Sequence, residues 1–331
     1  MPPADAPAPL RVAIPDMISP SYFPAIAAVE LGFFQREGLD ATIELVFPVT
    51  TTYEALREGE IDFVGGAAHA PLYAFPDWEG CKLVCALSQK MYWFLVARAD
   101  LHVTRGDLGA LKGLRIGAAP GPVDGLLRLL AAAGIDPDSE VEIGPVPGVA
   151  GAGVSFGVSA AKALAAGKVD AFWANGMGAE VAVRDGVGTL VLDARRGDGP
   201  PEAEDYTFPA FVVTQERIEE RPQQVAGAVR AIVRAQRALR RDPSLATAAA
   251  RVHFPQSERN LIAELIRRDT AFYDPAISER SVVSLNRFAR AVGVLSDRQV
   301  PYERVVATGF RRLWAPTAET DVVQGGTAGN D

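Results

Sequence analysis

The sequence predicts an α/β protein built as two lobes, and three observations carry that expectation. Apolar runs alternate with helical periodicity along most of the chain. The length of 331 residues exceeds the usual size of a single hydrophobic core. One segment also echoes another: "ALREGEIDFVGG" (55–66) returns as "ALAAGKVDAFWANG" (163–176). Both read as a helix, a glycine stop and a buried parallel strand that ends in glycine. Two such units present two loops at the carboxyl ends of strands, where open α/β sheets bind ligands.

The elements follow in order. "LRVAIPD" (10–16) is a strand, and "FPAIAAVELGFFQREG" (23–38) is an amphipathic helix stopped by Gly38. "DATIELVFP" (40–48) is the next strand. "TTYEALREG" (51–59) opens with a capping box, Thr51 with Glu54, and closes on Gly59. "IDFVGG" is a third strand, and "GCKLVCALSQK" a fourth. "KGLRIGAAP" (112–120) and "VDGLLRLLAAAG" (123–134) begin a second series. "MYWFLVARADL" (91–101) and "YTFPAFVVTQ" (206–215) cross between the series. Thereafter the chain is almost wholly helical, including residues 221–242, and 316–331 reads as a disordered tail.

Composition narrows the function. A formal charge of −8 gives no general attraction to nucleic acid or anionic membrane. No stretch approaches the roughly 20 apolar residues of a membrane helix. The start, "MPPADAPAPLRVAIPD", has neither a basic segment nor an apolar core of a secretory signal. Cys81 and Cys85, on one strand, would stand about 13 Å apart, too far for a disulfide. They read as buried thiols.

Several motifs invite chemistry that their context withholds. "GVSFG" (153–157) matches Gly-x-Ser-x-Gly with Ser155, but a glycine-rich loop precedes it where a nucleophile elbow needs an apolar strand. The loop 148–157 lacks the spacing and the acidic ribose clamp of a dinucleotide fingerprint, so no cofactor is expected. "SAAK" (159–162) lacks its companion motifs, which leaves Lys162 a solvated helix residue. Arg230, Arg234, Arg237 and Arg241 form a stripe that reads as the solvated side of a helix. His102 and His253 stand without clustered ligands, so no metal is expected.

The third histidine is different. In "VGGAAHAPLYAF" (64–75), small residues clear the space around His69, and Pro71 can open a helix whose free N–H groups face the same space. The expectation is that His69 faces the cleft and contacts a polar group of the ligand. A histidine tucked beneath the loop, bonded to a carbonyl, is the alternative. Tyr22, Phe23, Trp93, Trp173, Tyr206 and Phe208 fall at strand ends or crossings, and as a set they point to a flat or partly apolar ligand.

"SYFPAIAAVELGFFQREGLDATIELV" resembles the opening of periplasmic binding proteins for sulfonates, nitrate-type anions and thiamin-pyrimidine precursors. "ALREGEIDF", "LKGLRIGAAPG", "ALAAGKVDAFW" and "FVVTQERIEERPQQVAGAVRAIVRAQRAL" match successive family segments in order, covering residues 10 to 315. The resemblance implies a two-lobed type II periplasmic-binding-protein fold with a helical C-terminal region. The implied boundaries are a flexible 1–9, lobe I at 10–98 and 208–315, and lobe II at 99–207. It also implies loops at Pro20 to Tyr22, Ala67 to Pro71, Gly121 to Asp124 and Trp173 to Met177 around the ligand. Loops and aromatics together give Ser19, Ser21, Tyr22, Ala68, His69, Trp93, Gly121, Asp124, Trp173, Asn175 and Tyr206 as ligand-binding candidates.

The function so implied is capture of a small aromatic or heterocyclic polar molecule by a monomer serving an ABC permease. Such proteins are periplasmic by family, whereas the start as written reads as cytoplasmic. An enzyme on the same fold, a decarboxylase or lyase or a relative of the thiamin-pyrimidine synthase using His69, is the alternative. "FWANGMG" departs from that synthase by lacking its cysteines. A ligand-sensing partner protein is a third reading.

Overall fold

The computed structural model describes residues 9–148, 155–296 and 299–315. Its framework is two five-stranded sheets. The first contains β1 (Leu10–Ile14), β2 (Ala41–Leu45), β3 (Phe63–Ala67) and β4 (Cys81–Ala86). The second contains β5 (Trp93–Arg98), β6 (Arg115–Ala118), β7 (Glu142–Gly144), β8 (Ala171–Asn175) and β9 (Gly188–Asp193). β10 (Pro209–Thr214) then returns to the first.

The two sheets share one plan. Their orders are β2-β1-β3-β10-β4 and β7-β6-β8-β5-β9. In each, the first three strands run parallel and the fourth is antiparallel to both neighbours. Even the irregularities correspond: the fourth strand shifts register between Phe211 and Val212 in one sheet and between Leu95 and Val96 in the other.

This plan corrects the reading of the crossings. Residues up to 98 were expected with the first lobe, yet β5 pairs with β8 and β9. Trp93 to Ala97 are all buried, so both edges of that backbone need partners, and a central position supplies them. Each crossing is a central strand of the lobe that the chain is entering.

Helices complete the layers. The helix expected over 23–38 is two, α1 (Phe23–Glu30) and α2 (Phe33–Arg36), because Gly32 turns left-handed at φ +73°. α3 (Val49–Arg57) starts two residues before the expected capping box, which leaves Thr51 inside it. Pro48 stands at its N-cap, and Thr52 donates its hydroxyl to Val46 O at 2.5 Å. α4 (Val123–Ala132), α5 (Phe156–Ala165) and α6 (Gly176–Arg184) serve the second sheet. The echoed segments take equivalent places: α3, left-handed Gly59 and β3 beside β1, then α5, left-handed Gly167 and β8 beside β6.

After β10 come α7 (Gln215–Glu220), α8 (Pro222–Arg241), α9 (Leu245–Ala249), α10 (Gln256–Asp269) and α11 (Glu279–Ala291). α8 packs on α1 and α2. Its arginine stripe is more than a solvated face. Arg230 donates to Glu37 at 2.6 Å, Arg234 pairs with the same carboxylate, and Arg237 donates to Ala315 O at 2.6 Å. The stripe fastens α2 and the last described residues to α8. His253 likewise meets Glu30 at 2.8 Å.

Behind the lobes, Arg195 of the second is fully buried against Asp269 and Ser88, each at 3.2 Å, with its guanidinium over the Phe272 ring. Cys81 and Cys85 are free and buried, and burial pushes both thiols up. No described helix is long and apolar enough to cross a membrane.

Candidate functional site

The carboxyl ends of β1, β6 and β8 converge on a narrow slot between the lobes, nearly closed, with a cavity volume of about 30 Å³. The first lobe contributes Pro15, Asp16, Tyr22, Phe47 and Val49. The second contributes Trp93, Phe156, Trp173 and Asn175, with Ala119, Pro120, Pro122 and Ala174 between them.

Five of the thirteen lining residues are aromatic: Tyr22, Phe47, Trp93, Phe156 and Trp173. Trp93 and Trp173 sit on adjacent strands with centroids 6.2 Å apart, and the register pairs Trp93 with Asn175. The Trp173 indole N–H donates to Pro122 O at 2.8 Å, which fixes the ring against the start of α4. Tyr22 meets Tyr92 edge-on and shares a 2.6 Å hydroxyl–hydroxyl bond with it. At the mouth, Phe47 of one lobe stacks on Phe156 of the other, 6.2 Å apart and 20° from parallel.

The polar centre is Asp16, two residues past β1. Its Oδ2 accepts from Asn175 Nδ2 at 2.6 Å, Ser155 Oγ at 3.3 Å and Gly157 N at 3.5 Å, all from the opposite lobe. Its Oδ1 accepts from Ile18 N at 3.1 Å. Burial raises its pKa to about 6, while bonds from Ser155, Ile18, Gly157 and Phe156 hold it down. Asn175 serves both sides, because its Oδ1 caps α6 by accepting from Met177 N at 2.9 Å and Gly178 N at 3.3 Å. Ser155 is the N-cap of α5, accepting from Val158 N. Its hydroxyl is used as a cap and a carboxylate donor, so the residue that matched a nucleophile motif is structural. Residues 149–154 of that motif's approach lie outside the described residues.

The candidates divide. Tyr22, Trp93, Trp173 and Asn175 line the slot. His69 does not. Its ring is buried, with Nδ1 3.0 Å from Thr207 Oγ1 and Nε2 3.4 Å from Gly121 O and 3.3 Å from Asp124 Oδ2. Phe288 and Trp93 meet it edge-on. The imidazole thus reaches across to the second lobe, with both nitrogens beside protein atoms and Trp93 between it and the slot. The small residues around it make room for this packed contact between the lobes.

Gly121 and Asp124 belong to that same contact. Asp124 accepts from Tyr73 of the first lobe at 2.6 Å, and a Cβ on Gly121 would overlap the side chain of Val49. Ser19 and Ser21 are buried and do not line the slot, and Ala68 N donates to Phe208 O at 2.9 Å. Tyr206 lies elsewhere, stacked on Phe288 in a surface groove. Asp16, Phe47 and Phe156 were missed. Asp16 alone had a signal, an aspartate placed directly after the first strand's carboxyl end in "AIPD".

Two sheets of one plan, meeting at a pocket fed by their strand ends, define a two-lobed periplasmic-binding-protein fold. Within that class the chain belongs to the NMT1/THI5-like family, whose model matches residues 19–246. Solved structures agree on the fold. A protein from Bordetella bronchiseptica RB50 superposes with a TM-score of 0.72 at 18% identity, covering 92% of this chain and 96% of that one. The alkanesulfonate-binding protein SsuA from Xanthomonas axonopodis pv. citri, bound to MOPS, gives 0.67 at 20% identity over 91% and 99%. The desulfurization enzyme DszB, in complex with biphenyl-2-sulfinic acid, gives 0.62 at 18% over 92% and 98%. No curated protein matches the chain in sequence.

Proposed function

We propose that this chain is a substrate-binding protein that holds a small, flat, aromatic or heterocyclic molecule between its lobes for an ABC importer. The observation that carries the reading is the wall itself. Tyr22, Trp93 and Trp173 present ring surface to one slot, and Phe47 meets Phe156 across its mouth. With the lobes parted around it, such a wall can cover a planar ligand from both sides and leave a few polar atoms to orient it. The alkanesulfonate-binding protein and its MOPS ligand support capture of small molecules on this fold. The binding reading is favoured over an enzyme using His69 because both ring nitrogens lie against protein atoms, Thr207 on one side and Gly121 and Asp124 on the other.

The test is a thermal-shift and tryptophan-fluorescence screen of single-ring and fused-ring compounds against wild type and Trp173→Ala. A compound at about 100 times its dissociation constant adds roughly 2.7 kcal/mol of stability. The expected result is a ring compound that shifts wild type and loses about tenfold or more in affinity in Trp173→Ala. Equal affinity in the two proteins would remove the slot as the site.

A further inference from the structure

We infer that Asp16 decides the charge class of the occupant: the slot takes an uncharged or cationic planar ring that donates a hydrogen bond, and it rejects sulfonate-, nitrate- and carboxylate-type anions. This inference rests on the reading of the slot as a small-molecule receptor, and it names the class that the receptor accepts.

An anion receptor needs a cationic side chain or free N–H groups at a helix start. Among the described residues lining the slot, none is Lys, Arg or His, and Asp16 is the one that carries charge. Two helix starts at the slot, those of α5 and α6, are also occupied. The α5 N-terminus and the Ser155 hydroxyl already point at Asp16 Oδ2, and the first N–H groups of α6 already bond Asn175 Oδ1. The chain's own carboxylate thus sits where a ligand anion would need to sit. A second anion beside it would meet like charge in a buried setting with no counter-charge.

A donor meets the opposite situation. A carboxylate has about four lone-pair sites and no donor of its own. Oδ1 accepts one bond, from Ile18 N, and has capacity for another. The negative faces of Tyr22, Trp93 and Trp173 also favour a cation over an anion. The other titratable group facing Asp16 is Tyr22, whose hydroxyl burial pushes far up, so it stays neutral. With Asp16 raised to about 6, the carboxylate is ionised at neutral pH.

The experiment is calorimetric titration of the full chain with four rings of one shape and different charge: benzamidine, benzamide, benzoate and benzenesulfonate. At neutral pH, benzamidine should bind at least about tenfold more tightly than either anion, with benzamide between. Asp16→Asn should shrink that preference by about tenfold or more. Wild type alone gives a second measurement, independent of how the variant folds. Benzamidine stays cationic, so its affinity should fall as pH drops through about 6 and Asp16 takes up a proton. If an anion binds as tightly as benzamidine, or if neither Asp16→Asn nor low pH changes the ratio, the charge assignment is wrong while the receptor reading stands. If no ring binds either protein, the receptor reading fails and the charge assignment with it.

Discussion

His69 and Gly121 work as a pair across the lobes. The imidazole binds Thr207 on one nitrogen and meets Gly121 O and Asp124 on the other, with no exposure to water. Removing it strands the buried Thr207 hydroxyl and leaves Asp124 with Tyr73 as its donor. His69→Ala should therefore cost about 1–3 kcal/mol in urea unfolding, while a ring ligand loses affinity only through the weakened lobe contact. An unchanged midpoint with abolished binding would return His69 to the ligand. Gly121 has φ +84°, a conformation side chains rarely adopt, and Val49 already fills the space a Cβ would need. Gly121→Ala should lose at least about 1 kcal/mol and hold the lobes apart, seen as a larger radius of gyration in small-angle scattering.

At the scale of elements, the second lobe depends on how closely α5 and α6 approach. A Cβ on Gly178 would run into the backbone carbonyl of Gly157, and one on Gly157 would press on the Asn175 amide. The helices can touch here only because both positions are glycine, and that contact brings the α5 N-terminus to Asp16. Gly178→Ala should cost about 1–3 kcal/mol by overpacking, and ligand affinity should fall with it because Asn175 and Ser155 move together. Differential scanning calorimetry and a binding titration on the same variant would check both. A variant with wild-type stability would mean that the α5–α6 contact yields without cost. The stop signals of these elements were readable: glycines 59 and 167 close the echoed helices where expected. The capping box was not, because Pro48 and the Thr52 hydroxyl start α3 earlier than the Thr51–Glu54 pattern indicates.

For the whole molecule, Asp16 couples folding stability to pH. Its pKa is raised from an ordinary value near 4 to about 6, so the folded state holds the proton more tightly than the unfolded state. A raised carboxyl means that ionisation costs stability. The cost is absent below about pH 4, grows through the window between 4 and 6, and is complete above it. A shift of about two units corresponds to roughly 3 kcal/mol. Wild type should therefore lose that order of stability relative to Asp16→Asn as pH rises from 4 to 7, measured by denaturant unfolding at each pH. Parallel curves for the two proteins would show that solvent or movement of the lobes relieves the burial.

The sequence by itself determined the α/β class, the two-lobed plan, the repeated helix–glycine–strand unit and the aromatic residues Trp93 and Trp173 that face the slot. Those follow from periodicity, glycine stops and apolar runs, which act over a few residues and leave a local imprint. Tertiary structure decided the rest. Trp93–Arg98 had the pattern of a strand, but its place in the second sheet depends on pairing with β8 and β9, some 75 to 100 residues away along the chain. Asp16 is marked in sequence only by its place after the first strand, and its partners Ser155, Gly157 and Asn175 arrive from the other lobe. His69 looked like a ligand contact because small residues cleared space around it, and only folding shows that Thr207, Gly121 and Asp124 fill that space. A side chain's partner across more than 50 residues is chosen by packing and by the cost of leaving buried polar atoms unpaired, and neither is written in the residue's own neighbourhood.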